Sequence, residues 1–370
     1  MEKFSFHRKN VFIIAEVGKN FIQTEEERPV AEYLENAKVL ARAAKLAGAD
    51  AVKFQTHTVE DEQLNINVIS PHFKGADRYS WVTRNTNATP FDGFWKPLKT
   101  YCDEVGIIFF STPMSRGAAQ KLLLLDQPIW KVGSGDILDF VMLDYLVATK
   151  KPIIMSAGMS TLEELDMSIH FLKKRNAEII LLHCVSKYPC PPEELRLATI
   201  GFFQKRYPEL TIGFSDHSIG IDSSLAAVAL GAKVIEKHFS LRRDLYGADH
   251  KVSMTPSEMA ELVAGIREFE KNPAVAEAYL AKDIVKKGMG TAEKVLQEDE
   301  AVFRPFFRKS LMAGRALPIG TVLRADDIYA MRPQQFAGGL PSEHYEAVLG
   351  KKLSRPLKKF DPITADVFVV

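Results

Sequence analysis

The sequence predicts an α/β fold, a (β/α)8 barrel of the TIM type. Three observations carry this. Short apolar runs alternate with amphipathic segments, giving eight strand–helix units over about 250 residues. The runs are continuously apolar, as parallel strands covered by helices are, not alternating like strands with one wet face. Polar and charged residues gather where the runs end, which in a barrel is a single mouth.

The elements follow in order. The strand-like runs are "VFIIAEVG" from Val11, "AVKFQT" from Ala51, "GIIFFST" from Gly106 and "IWKVGSG" from Ile129. They continue as "PIIMSAG" from Pro152, "IILLHCVS" from Ile179, "TIGFSDH" from Thr211 and "AKVIEKHF" from Ala232. Between them, "AEYLENAKVLARAAKLAGA" and "TLEELDMSIHFLKKRN" carry apolar residues at helical spacing. Gly48 and Gly231 stand just before strands, where a helix C-cap needs a glycine. The rival is a doubly wound open sheet. It lacks a G-x-G-x-x-G after the first strand, which weakens its nucleotide-binding form.

Composition excludes several function classes. The chain has 370 residues, 46% of them hydrophobic and 26% charged, with a formal net charge of +1. This is ordinary for a globular protein, and there is no basic run for nucleic acid or a membrane surface. No apolar run approaches the roughly 20 residues that span a bilayer. The N-terminus "MEKFSFHRKN" has no apolar signal core, so the expected location is the cytoplasm. Cys102, Cys184 and Cys190 form no CxxC pair and are read as reduced.

Glu16, Lys53, Gln55, Thr112, Lys131, Ser134, Ser156, Ser186, Ser215, His217, Glu236 and His238 all lie at or near strand ends. Any single Ser or Thr there reads equally as a turn former or helix cap. Lys53 and Lys131 are harder to dismiss, because a lysine inside an apolar strand is a buried charge in need of a partner. Two readings stand side by side: structural ion pairs with Glu16 or Glu236, or lysines and hydroxyls that hold a phosphate and a carboxylate. His217 and His238 end consecutive strands. They read as ordinary hydrogen-bonded histidines or as two ligands of Mn²⁺, Zn²⁺ or Fe²⁺, with water or substrate filling the other positions. His183 lies deeper in its strand and reads as structural.

Taken together, "FIIAEVG", "ADAVKFQT", "FFSTP", "WKVGSGD", "MSAGMST", "LLHCVSKYPCPPEE", "IGFSDHSIG" and "ALGAKVIEKHFS" resemble the successive motifs of the sialic acid synthase family. The likeness runs in order along nearly the whole chain. The stretch from "FRKSLMAGRALPIG" to "DPIT" resembles the small, β-rich antifreeze-like (SAF) domain that follows the barrel in that family, so the likeness implies a barrel over residues 1–273, a charged, helix-forming linker over 274–304 and the SAF domain over 305–370.

The resemblance implies an enzyme, a transferase that condenses phosphoenolpyruvate with the open-chain form of an N-acylated mannose-type sugar and releases phosphate. It implies a divalent metal on His217 and His238, with Mn²⁺ foremost and Mg²⁺ or Co²⁺ behind it. Lys53, Thr112, Lys131, Ser134, Ser156, Ser186 and Ser215 match phosphoenolpyruvate-binding positions. Glu16 matches the carboxylate that acts in the chemistry. Gln55, Asp136, Tyr188, Glu236 and Asp249 match positions lining the sugar site. Arg332 matches an arginine of the SAF domain that enters a partner subunit's barrel, so a domain-swapped homodimer is expected.

Two departures bear on the sugar. The family's "NHNG"-like turn is here "KNFIQTEEERP", with Asn20 kept, Phe21 at the histidine position and no glycine. Asp136 stands where a glutamate often follows "GSG". The sugar candidates are N-acetylmannosamine, its 6-phosphate, or a 2,4-diacetamido-trideoxy hexose of the legionaminic or pseudaminic type. Two different activities also fit the same residues: a phosphoenolpyruvate-dependent aldol synthase acting on a sugar phosphate, and a non-catalytic carbohydrate-binding homologue.

Overall fold

The computed structural model describes residues 10–66, 68 and 77–369. Residues 1–9, which carry the N-terminal signal reading, lie outside them. Eight parallel strands form a nearly closed barrel in the order β3-β2-β1-β8-β7-β6-β5-β4. They are β1 (Phe12–Gly18), β2 (Ala51–Thr56), β3 (Ile108–Pro113), β4 (Trp130–Val132), β5 (Ile153–Ser156), β6 (Ile179–Cys184), β7 (Thr211–Asp216) and β8 (Val234–His238).

Side chains of a strand alternate between faces, and both faces of this sheet are buried. That is why the runs look continuously apolar. The outer face, with Ile13, Val52, Phe54, Phe109, Trp130, Leu181 and Phe214, joins the large core under the helices. The inner face begins with a separate apolar layer of Phe12, Ile14, Ala51, Phe110, Ile129, Ile154, Ile180, Leu182 and Val234. One further step of two residues along the same face changes the chemistry. Ile14 is followed by Glu16, Ala51 by Lys53, Phe110 by Thr112, Ile129 by Lys131, Ile154 by Ser156, and Val234 by Glu236. The barrel is plugged with hydrocarbon below and lined with charge at its mouth.

The helices start and stop where their residues demand. Thr161 and Glu164 form a capping box on the helix Leu162–Lys173, and Thr255 and Glu258 do the same for Pro256–Lys271. Gly48 and Gly231 turn the chain into β2 and β8 at φ +89° and +95°, a left-handed conformation that favours glycine. Cys102 is packed inside the helix Lys96–Val105.

After the barrel, short helices at Pro273–Tyr279, Asp283–Gly288, Glu298–Ala301 and Arg304–Phe307 lead to the C-terminal region. There β9 (Ser310–Ala313) pairs antiparallel with β10 (Ile328–Met331), and isolated bridges tie the remaining segments together. This region sits against the barrel of its own chain. Arg116 donates to the carbonyls of Ala325 (2.6 Å) and Ile328 (2.8 Å), and Ser342 Oγ donates to Leu138 O (2.7 Å). Among the described residues no helix is long and apolar enough to cross a membrane.

Candidate active site

Strand register places the charged residues side by side. Glu16 is level with Lys53 on one neighbour and with His238 on the other, and Ser215 is level with Glu236. Lys53 Nζ lies 2.7 Å from Glu16 Oε2 and 3.6 Å from Glu236 Oε2, and Lys131 Nζ lies 3.7 Å from Glu236 Oε1. All four are buried. Each lysine thus has a carboxylate, so the ion-pair reading of the sequence describes this arrangement well.

The two carboxylates are not equivalent. Burial pushes the Glu16 carboxyl above its usual range; Lys53 offsets this in part, while the nearby Glu236 charge adds to it. Burial acts on Glu236 in the same sense, but Lys131 and Lys53 together outweigh it and hold Glu236 below the usual range. Two groups whose acidities are pushed apart suit one to carry a proton and the other to stay charged.

Hydroxyls ring the lysines. Lys53 Nζ donates to Thr112 Oγ1 (3.1 Å), Lys131 Nζ donates to Ser156 Oγ (2.7 Å), and Ser215 Oγ donates to Glu236 Oε1 (3.2 Å). Ser134 and Ser186 flank Gly158. A Cβ on that glycine would stand 2.6 Å from Ser134 Oγ and 2.2 Å from Ser186 Oγ, so only glycine lets both hydroxyls close in. Lys53, Lys131, Thr112, Ser134, Ser156, Ser186 and Ser215 therefore line one mouth. Cations with surrounding O–H donors are the chemistry that holds a multiply charged anion.

His217 and His238 stand with ring centroids 5.4 Å apart. The Nδ1–H of His217 donates to Val185 O (2.8 Å), so Nε2 is the nitrogen left for a ligand. Among the described residues His238 Nδ1 has no hydrogen-bond partner, and burial lowers this ring's pKa to about 4, so it stays neutral. Burial lowers the His217 pKa, but Cys184 and the Val185 carbonyl outweigh it and leave it raised, so this ring must give up its Nε2 proton to receive a divalent ion, whereas His238 is already neutral. Among the described residues no group of three or more His, Cys, Asp or Glu is placed to hold one. Such an ion would keep open positions for water or substrate, as catalytic metals do. His183 plays the structural part, with Nε2 against Leu195 O at 2.7 Å.

The rim of the mouth carries the remaining candidates. Gln55 Nε2 donates to Glu16 Oε1 (2.8 Å), and a Cβ on Gly18 would lie 3.5 Å from Asp249 Oδ2. Tyr188 packs on His217 at 4.1 Å between centroids. Asp136 is buried and bound to Arg332 and to Lys309 Nζ (3.0 Å). The arginine that the resemblance sends into a partner's barrel meets Asp136 of its own chain here. Phe21, which stands where the family has a histidine, is fully buried against Phe54 and Phe94, while Asn20 anchors the turn by donating to Phe239 O (2.9 Å).

Sequence reasoning missed several residues at this mouth. Lys19 Nζ donates to Gln55 Oε1 (2.7 Å) and lies 4.0 Å over Trp81, with burial lowering its pKa to about 8. A lysine directly after a strand-ending glycine is the signal that could have marked it. Lys309 is buried between Asp136 and Asp139 (2.7 Å), and Glu300 reaches the mouth from the connection. Nothing in the local sequence marks either.

Comparison with known proteins agrees with this architecture. Residues 40–277 match the NeuB family and residues 308–369 match the SAF domain. Human N-acetylneuraminate-9-phosphate synthase is 32% identical over 96% of this chain and 92% of its own length. The pseudaminic acid synthase of Campylobacter jejuni is 32% identical over 96% of both. Among solved structures, the Bacillus subtilis spore coat polysaccharide biosynthesis protein spsE superposes with a TM-score of 0.78, at 30% identity and covering 99% of each chain. With an eight-stranded barrel, a polar mouth built in register and an appended SAF domain, the chain belongs to the NeuB family.

Proposed function

We propose that this protein is a nonulosonic (sialic-type) acid synthase that condenses phosphoenolpyruvate with the open-chain form of an N-acetylmannosamine-type sugar. The observation that carries the reading is the mouth itself: Lys53, Lys131 and five hydroxyls converge beside the inequivalent pair Glu16 and Glu236. The names of its relatives support the product class.

Phosphoenolpyruvate brings about three negative charges and is a weak carbon nucleophile, so it must be held rather than activated. Lys131 with Ser134, Ser156 and Ser186 takes the phosphate, and Lys53 with Thr112 and Ser215 takes the carboxylate. The existing lysine–carboxylate pairs keep these cations positioned, and the ligand's charges share them. Gln55, Asp136, Tyr188, Glu236, Asp249 and Arg332 shape the sugar side, where His217 and His238 hold a divalent ion, Mn²⁺ foremost. When bound, that ion supplies Lewis acidity at the sugar's aldehyde oxygen. Attack by C3 of phosphoenolpyruvate on the aldehyde carbon leaves cationic character at C2. Glu16, whose raised pKa suits proton transfer, orients the water that captures C2 and takes its proton. The former aldehyde oxygen, left as an alkoxide, takes up one proton; the tetrahedral product loses the proton of its C2 hydroxyl and breaks its C–O bond, giving the keto group and releasing phosphate.

The SAF domain completes the site through Arg332, and we propose a homodimer in which the same Arg332–Asp136 contact forms between exchanged domains. Swapping identical elements conserves each contact, so the geometry above serves either arrangement.

The bond cleaved tests the mechanism. With ¹⁸O in the bridging position of phosphoenolpyruvate, this route releases phosphate carrying the label. Unlabelled phosphate means cleavage at phosphorus and rules the route out.

A further inference from the structure

Glu300 belongs to no barrel strand, yet it is 1% exposed beneath the loops that follow β5 and β6. It lies in the short helix Glu298–Ala301 of the connection. Its Oε1 accepts two backbone N–H groups, from Met159 (3.0 Å) and from Ser186 (2.8 Å). These loops carry Ser186 and continue from Ser156, two of the hydroxyls assigned to the phosphate. One carboxylate oxygen therefore bridges them from outside the barrel.

Met159 is an unusual residue to hold. Its φ is +49°, the left-handed region that side chains other than glycine adopt only when their surroundings demand it. The demand comes from the connection and from the start of the C-terminal region. Glu300 takes the N–H of Met159, and Arg308 Nη2 donates to its carbonyl oxygen at 2.7 Å. Both polar backbone atoms of one strained residue are thus gripped by side chains that follow it by 141 and 149 positions in the chain. Gly158, immediately before it, is where Ser134 and Ser186 crowd together. Further ties hold the connection in place: Lys187 with Asp299 at 2.7 Å, Gln297 Nε2 donating to Glu194 O at 2.8 Å, and Arg304 with Glu164.

We propose that Glu300, assisted by Arg308, is a positioning residue for the anion cradle: it sets the Gly158–Met159 backbone and the Ser186 backbone, and so the spacing of Ser134, Ser156 and Ser186. Glu300 itself does not touch substrate. The inference rests on the synthase reading above and goes beyond it, because it makes the connection part of the binding site rather than a tether. Removing the carboxylate takes the acceptor from the N–H groups of Met159 and Ser186, and from that of Gln297 in its own helix, and the loops must relax to rehydrate them.

The test uses the full-length protein with Glu300→Ala and Glu300→Gln, comparing KM for phosphoenolpyruvate, KM for the sugar and phosphoenolpyruvate affinity by calorimetry. The expected result is a rise of about tenfold in phosphoenolpyruvate KM and Kd for the alanine variant, the loss of one charge-assisted hydrogen bond's worth. Sugar KM stays within about twofold of wild type. The glutamine variant is largely rescued, since its amide oxygen still accepts both N–H groups. If the alanine variant does not fold, Glu300→Asp, one methylene short of both amides, takes its place with the same expectation. Unchanged phosphoenolpyruvate KM and Kd overturn the proposal, as does an equal rise in both substrates' KM. A wild-type protein that binds no phosphoenolpyruvate overturns the synthase reading instead, and this control is read before any variant.

Discussion

Glu16 and Lys53 are register partners on adjacent strands, and their side chains meet at 2.7 Å with each only 3% exposed. The pair explains why two oppositely charged residues are tolerated in otherwise apolar strands. It also sets Glu16 beside the place where phosphoenolpyruvate is proposed to react.

Replacing Lys53 with Met removes the cation from between two buried carboxylates. Breaking a buried pair in this way costs about 3–5 kcal/mol. Denaturant unfolding near neutral pH should show that loss. A variant as stable as wild type would mean that Glu16 takes up a proton when Lys53 is gone.

Glu16→Gln keeps the shape and the hydrogen bond from Gln55 but removes the base. Turnover should fall at least about tenfold, general acid–base catalysis being worth about 10²- to 10⁴-fold, while Mn²⁺ affinity stays unchanged. Normal turnover would remove Glu16 from the mechanism.

The same residue fixes the acid side of the pH profile. A carboxyl whose pKa is raised is protonated, and idle as a base, at pH values where an ordinary glutamate is still ionised. Activity should therefore fall on acidification through a pKa above 4.5, and the residual activity of Glu16→Gln should lack that limb. A limb at or below the ordinary value in wild type would contradict the raised acidity constant.

Much of the barrel was legible because its physics is local. Eight apolar runs, glycines before strands and capping residues before helices each declare themselves within a few positions. The polar strand ends were legible for the same reason, since Glu16, Lys53, Thr112, Lys131, Ser156 and Glu236 follow the inner apolar layer by two residues. Pairing was not. Nothing near Lys53 says that it meets both Glu16 and Glu236, because parallel neighbours are brought together only by closure of the sheet. Lys309 and Glu300 were invisible for a stronger version of that reason: their partners on the barrel lie 114 to 195 residues away. Asp136 and Arg332 were picked out separately, and only the docked C-terminal region joins them.

His217→Ala and His238→Ala should each weaken Mn²⁺ binding, by about 10- to 100-fold or more, since loss of even an outer partner of a ligand costs that much. Titration of the free ion by electron paramagnetic resonance reads this directly. Affinity unchanged in both variants would move the metal elsewhere.

Mixing Arg332→Ala with His217→Ala tests the exchange of domains. In a swapped dimer one barrel with intact histidines receives the other chain's intact Arg332, so turnover should return. No return, with subunit exchange verified, would assign the Arg332–Asp136 contact to a single chain.

The most direct test of the central claim is mass spectrometry of the purified protein incubated with phosphoenolpyruvate, Mn²⁺ and, in parallel, N-acetylmannosamine, its 6-phosphate and a 2,4-diacetamido-trideoxy hexose. The account predicts, for at least one sugar, a product at the mass of sugar plus phosphoenolpyruvate plus water less phosphate, formed with phosphate release and abolished by EDTA. No such product from any sugar, with the protein folded and Mn²⁺ bound, would contradict it.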